Sequence, residues 1–203
     1  MKLGILAIPD ITMWNITTPQ LHDGYSYQKA LYDGIVYNAD RNAGIVDLIK
    51  QHKGKKILLT FRFLRHGDLL SRLLYDENIA HEVVKGEVSG EEREKIRHRF
   101  ERGDLDVIVA SIGVFKLGVD LPSIEVLIRA DGGKSKISTI QILGRALRVK
   151  DNRKRVLVYD FYDDTHTYLR RHSRKRLRDY RSLGDPVVVK QRDLNTGQQF
   201  LAF

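Results

Sequence analysis

From about residue 55 onward, short apolar runs alternate with segments whose apolar residues recur every three or four positions. "KILLTF" (Lys56–Phe61), "AHEVVK", "LDVIVAS", "IEVLIRA" and "RVLVYDF" are runs of strand length. The most apolar of them lack the strict alternation of a sheet with one wet face, which predicts strands buried on both sides. Between them, "HGDLLSRLLYDE" places Leu69, Leu70, Leu73 and Leu74 on one side of a helix. "SGEEREKIRHRFERG" opens with a capping box, Ser89 and Glu92, and closes at Gly103. A basic helix is expected over about Asp163 to Tyr180. Strands alternating with helices across short loops predict an α/β fold, a mainly parallel sheet flanked by helices. In such sheets chemistry gathers at the carboxyl ends of the strands, which directs attention to Thr60, Ser111 and Asp131.

The flanks differ from this core. "DITMWNITT" reads as an extended segment leading in, and the chain becomes helical towards Leu48. "PVVVKQRDLNTGQQFLAF" reads as a small strand pair turning at Asn195-Thr196-Gly197. The expected organisation is a leader over residues 1–40, a main domain over 41–184 and a tail over 185–203.

Composition narrows the partners. A hydrophobic content of 42% with 30% charged residues fits a soluble globular protein, and a net charge of +9 predicts attraction to polyanions. No cysteine occurs, so disulfides and thiolate metal sites are excluded. Pro9 and Asp10 interrupt the apolar start, and no run approaches the ~20 residues needed to span a bilayer. A cytoplasmic location without a membrane partner is the expectation.

Several catalytic signatures fail on inspection. "GGKS", Gly132 to Ser135, ends like a phosphate loop, but the glycine required five residues before Gly133 is Ile128. "VLVYD" ends at Asp160 like a magnesium-holding strand, and an ordinary strand terminus explains it as well. The histidines show no H-E-x-x-H spacing, and Asp163, Asp164 and His166 read as solvated residues at a helix start. A nuclease using the Asp160–Asp164 carboxylates is the weakest alternative. No G-x-S-x-G elbow is present.

"STIQILGRALRVK", Ser138 to Lys150, is more informative. On a helix Gln141, Arg145 and Arg148 share one polar edge with Gly144 beside it, while Ile140, Leu143 and Leu147 form the apolar face. Gly in a helix interior costs roughly 1 kcal/mol relative to Ala, so its presence suggests that something approaches that face. Guanidinium forks suit phosphate oxygens. The competing explanation is structural: Ser138 and Gln141 can form a capping box, and exposed arginines are common.

Taken in order, the segments resemble the second RecA-like lobe of superfamily 2 helicases. "QILGRALR" resembles motif VI, "VIVASIGVFKLGVDLP" (Val107–Pro122) motif V and "KILLTFRFLRHGDLLSRLL" motif IV. The flanks of these motifs are similar to those of the branch containing recombination-repair helicases and helicase subunits of restriction systems. The resemblance spans about Ile35 to Gly184 and implies a RecA-like fold. It further implies that Arg145 and Arg148 are arginine fingers, with Gln141 aligning the γ-phosphate or attacking water. By the same resemblance Gly118, Asp120 and Gly144 lie at the nucleotide and the lobe interface. Thr60, Arg62, Gly86, Ser111 and Lys134 would hold the nucleic-acid backbone. The implied cofactors are ATP and Mg2+, held mainly by an N-terminal RecA-like lobe with a phosphate loop and Asp-Glu box. That first lobe finds no match in this chain.

Two departures stand out: Lys116 occupies a position often small or acidic, and Ser111 replaces threonine. DNA is the implied partner, with RNA open. The "RRHSRKRLRDYR" helix would either present a solvated face over inward Leu169, Leu177 and Tyr180, or meet the DNA backbone. The aromatic residues form no evident base-stacking ladder. A non-catalytic RecA-like module that binds nucleic acid or protein is the rival to the motor lobe.

Overall fold

Eight strands form one sheet in the order β3-β4-β2-β5-β6-β1-β7-β8. A computed structural model describes residues 7–86, 88–114, 124–146, 155–182, 184, 187–191 and 201–202. Its strands are β1 (Ile8–Ile16), β2 (Ile57–Phe61), β3 (His81–Val84), β4 (Val107–Ser111), β5 (Val126–Arg129), β6 (Arg155–Asp163), β7 (Val187–Gln191) and β8 (Leu201–Ala202). The helices are α1 (Tyr27–Leu31), which runs on into a π-helical turn at Tyr32–Val36, α2 (Ala39–Gln51), α3 (Leu64–Asp76), α4 (Gly90–Arg102), α5 (Lys136–Ala146) and α6 (Thr167–Ser182). Strands β1 to β7 are parallel and β8 alone runs antiparallel, against β7.

Every residue of β2, β4 and β5 is buried, as their unbroken apolar runs demand. Successive residues serve opposite faces. Leu58, Ile108, Leu127 and Met13 join one core with Ile96 and Phe100 of α4, Ile142 and Leu143 of α5 and Tyr180 of α6. Leu59, Val109, Ile128 and Trp14 join the other, with Ile45, Leu48 and Ile49 of α2 and Leu70 and Leu74 of α3. The result is three layers, with helices over both faces of the sheet.

Local signals set several boundaries. Ser89 caps α4 by accepting from the Glu92 amide, and Gly103 ends it at φ +86. At α5 the boundary differs from expectation: the helix begins at Lys136, so Ser138 lies inside it rather than capping it. The expected leader also contributes to the core. Its residues Ile8–Ile16 form β1, paired along their whole length with β6 on one side and partly with β7 on the other. In the tail β7 and β8 pair as an antiparallel couple, while the expected turn at Asn195–Gly197 lies outside the described residues.

Candidate nucleotide and nucleic-acid site

The order β3-β4-β2-β5 gathers the predicted backbone contacts along one edge of the molecule. Gly86 follows β3, Ser111 ends β4, Arg62 follows β2 and Lys134 follows β5. Phe61 and Ser111 are register partners, and the Ile112 amide donates to the Phe61 carbonyl at 2.8 Å, so these two strand ends are tied together. Four neighbouring strands span roughly 14 Å at ~4.8 Å per strand. Gly86, Arg62 and Lys134 are exposed, and Ser111 retains 9% of its surface. Thr60 requires a correction. It has no exposed surface, and its hydroxyl lies 3.5 Å from the Ile128 carbonyl, facing β5 within the sheet. Arg62, two residues on, is the exposed side chain at this strand end.

Lys134 stands on a constrained loop. Gly132 adopts φ +59, and a Cβ there would lie 2.9 Å from Ile35 Cδ1. The turn brings the Gly133 amide to Asp131 Oδ1 at 2.9 Å and the Gly133 carbonyl to Arg176 Nη1 at 2.9 Å.

On α5 the inward face is Thr139, Ile142 and Leu143, all buried. Ile140 was expected to pack inward but is 42% exposed, and Ile137 is 70% exposed. Ile137, Ile140, Gln141 and Gly144 thus share the outward face at i, i+3, i+4 and i+7. Gln141 is exposed, and a Cβ on Gly144 would meet nothing within 4 Å. Arg145 continues the row of Ile137 and Gln141 along the helix. Its side chain, together with Arg148, Gly118, Asp120, Lys116 and Leu147, lies outside the described residues.

The structure also assembles a buried group of arginines and carboxylates drawn from distant parts of the chain. Arg41, Arg129 and Arg176 face Asp131, Asp160 and Asp163, and all six are at most 2% exposed. Arg176 Nε donates to Asp160 Oδ2 at 3.0 Å, and Tyr180 donates to the same oxygen at 2.6 Å. Arg129 bonds to both Asp131 oxygens and donates to Tyr180 at 2.7 Å and Thr139 at 3.0 Å. Arg41 Nε meets Asp163 at 2.7 Å and its guanidinium lies over the Phe161 ring. Burial alone would raise the Asp131 carboxyl, but Arg129 and Arg176 outweigh it and hold its pKa below the ordinary value. Pairing the three arginines with three carboxylates offsets their desolvation, and removing one partner from such a buried pair costs about 3–5 kcal/mol.

This network corrects three expectations. Arg176 belongs to neither a solvated face nor a DNA-facing one. Asp163 and His166 are buried rather than solvated, and Asp164 pairs with Arg170. The Asp160–Asp164 carboxylates are occupied by arginines, and among the described residues no group of three or more metal-ligating side chains forms. The signal was present in α6: residues 169, 172, 173, 176 and 180 follow helical spacing, and all are buried.

Comparison with known proteins defines the class. The model of the helicase conserved C-terminal domain matches residues 40–150, and the chain belongs to that family. The ATP-dependent DNA helicase uvsW of Enterobacteria phage T4 is 32% identical over 111 residues, covering 55% of this chain and 22% of the relative. The crystal structure of T4 UvsW superposes with a TM-score of 0.72 at 25% identity, covering 92% of this chain and 41% of that one. The C-terminal domain of the DEAD-box protein Dbp5 gives 0.66 at 15% identity, covering 91% of each chain, a likeness of fold. The fold is therefore the RecA-like C-terminal lobe of superfamily 2 helicases; the sequence match spans 22% of the uvsW helicase and the superposition 41% of its structure. No described helix is long and apolar enough to cross a membrane.

Proposed function

We propose that this chain is the second motor lobe of an ATP-dependent superfamily 2 DNA helicase or translocase, catalytically silent without a first lobe. The outward face of α5 carries this reading. Ile137 and Ile140 expose apolar surface beside Gln141, and Gly144 leaves the helix backbone open to close approach. Such a face suits an opposing protein surface rather than water. The segment Lys136–Ala146 has no carboxylate, so its charge fits a bound polyphosphate.

ATP with Mg2+, held mainly by the first lobe, supplies the phosphoryl group and the energy of its transfer. Arg145 and Arg148 meet the β/γ-phosphate oxygens with planar, always-charged donors that offset the charge developing during transfer. Gln141, exposed on the same row as Arg145, orients the attacking water or γ-phosphate through its amide. Gly118 and Asp120 belong to the lobe interface. Arg62, Gly86, Ser111 and Lys134 hold the strand backbone without reading sequence, since backbone amides, hydroxyls and cations recognise phosphate. Closing and reopening of the two lobes around the nucleotide moves this grip along the strand.

The test is turnover in a two-lobe protein. Arg145→Ala and Arg148→Ala should each lower ATP turnover by about 10³-fold or more, the range of arginine fingers, with ATP affinity changed far less. Unchanged turnover in both variants, with strand binding intact, would leave the non-catalytic binding module as the better reading.

A further inference from the structure

The row of exposed contacts ends at Lys134, but the basic surface continues. Beyond it, α1, the Lys134 loop and α6 enclose a pocket of about 510 Å3. Its charged lining consists of Lys134, Arg171, Lys175 and Arg178, with no carboxylate among the lining residues. Lys175 reaches Asp179 at 3.3 Å, one turn along α6. Lys134, Arg171 and Arg178 have no carboxylate partner among the described residues. Three cations without a carboxylate partner, converging beside Lys175, repel one another, and a polyanionic ligand relieves that repulsion.

The remaining lining is aromatic. Tyr27 and Tyr168 are each 38% exposed, with ring centroids 5.6 Å apart at 89°. His172 packs on Tyr27 with centroids 5.5 Å apart. Burial, then Lys134, Arg176 and Arg62, lower the His172 pKa to about 4, so its ring, buried behind Tyr27, is neutral at pH 7 and adds no charge. Lys134 belongs both to the pocket lining and to the exposed row, which makes the two surfaces continuous. The volume falls within the roughly 300–1,000 Å3 of small-ligand pockets, room for one nucleotide unit.

We propose that this pocket receives one nucleotide of a single strand running off the row, its base against Tyr27 and Tyr168 and its phosphates on Lys134, Arg171 and Arg178. Cations that track a backbone beside aromatic faces for the bases are the usual means of gripping single strands without sequence preference. The inference rests on reading the row as a nucleic-acid track, but it needs neither ATP nor arginine fingers, so the two can fail separately.

The experiment uses the full chain without nucleotide and a fluorescein-labelled oligothymidylate, followed by anisotropy from 50 to 200 mM salt. Wild type should bind, and an abasic strand of equal length should bind about 5- to 160-fold more weakly, the range expected for stacking of one base. Arg171→Ala with Arg178→Ala should flatten the slope of log affinity against log salt by about 1.4, at about 0.7 per phosphate contact on single strands. Tyr27→Ala should erase much of the abasic difference and Tyr27→Phe should keep it. Photocrosslinking of a 5-iodouracil strand to the wild-type protein should map to Tyr27 or Tyr168, a readout that survives if a variant misfolds. Oligouridylate in a parallel arm separates RNA from DNA. Equal binding of the abasic strand, or crosslinks confined to Arg62, Ser111 and their neighbours, overturns the pocket and leaves the row standing. No binding by wild type overturns both the pocket and the track, while turnover of the finger variants still decides the motor.

Discussion

Helix α3 approaches β2 at Gly67, where a Cβ would lie 2.5 Å from Cζ of the fully buried Phe61 ring. The ring is wedged in the core and cannot swing away as a flexible surface side chain would. Gly67→Ala should therefore destabilise the fold by about 1–3 kcal/mol, the range of overpacking, although alanine is the better helix former. An unchanged urea midpoint would show that the ring yields freely. One residue earlier, His66 accounts for a second effect. Its Nε2 lies 3.0 Å from Asn42 Oδ1, whose amide nitrogen donates to the Val36 carbonyl, so Nε2 carries the proton and the ring is neutral. Burial, with Arg41 nearby, lowers its pKa from 6.5 to about 3. The unfolded chain takes up the proton first as the medium acidifies, so this contribution is intact above pH 6.5 and is lost progressively towards pH 3. The slope approaches about 1.4 kcal/mol per pH unit for one such group. His66→Gln keeps an amide donor without the titration, and its urea midpoint should fall less than that of wild type between pH 6.5 and 4.5. Parallel falls would remove His66 as the cause.

At the scale of elements, α5 and α6 contrast two uses of arginine. Helix α6 turns Arg176 into the core because Asp160 and Asp163 wait at the end of β6 and the Gly133 and Phe161 carbonyls complete its bonds. Helix α5 keeps Gly144 on its outward side, where nothing within 4 Å explains the absence of a side chain. Gly144→Ala should stabilise the isolated chain by about 0.5–1 kcal/mol. If an opposing surface closes on this face, the same substitution should lower turnover of the two-lobe protein at least tenfold. Thermal melting of the chain and turnover of the two-lobe protein separate these effects, and a gain in stability with no loss of turnover would argue against close approach.

For the whole molecule, the decisive feature is how strand order converts sequence into a surface. Strands β3, β4, β2 and β5 are consecutive in the sheet but not in the chain, and only that order aligns Gly86, Ser111, Arg62 and Lys134. The same end of the sheet carries the Gly132–Gly133 turn that leads into α5, so the proposed nucleotide and strand contacts lie on neighbouring elements. The 203-residue chain should hydrolyse ATP at no more than the background rate, and added single-stranded DNA should not change this. Supplying a first lobe that contains a phosphate loop should bring turnover up. Rapid stimulated turnover by the purified chain alone would overturn the motor-lobe reading.

Apolar runs, caps and the order of motifs were legible in the sequence, since strand burial, Ser89 capping and the Gly103 stop depend on residues a few positions apart. The family followed from the same local patterns. Tertiary structure alone decided which polar groups face water. Thr60 sits at a strand end yet is enclosed by β5, and Arg176 looks like its solvated neighbours yet is buried, because carboxylates from another element offset its desolvation. Tyr27 and Tyr168 show no ladder along the chain and meet only because α1 packs against α6. Local periodicity fixes the elements, whereas exposure and charge compensation arise from contacts between residues far apart in sequence, which no short pattern records.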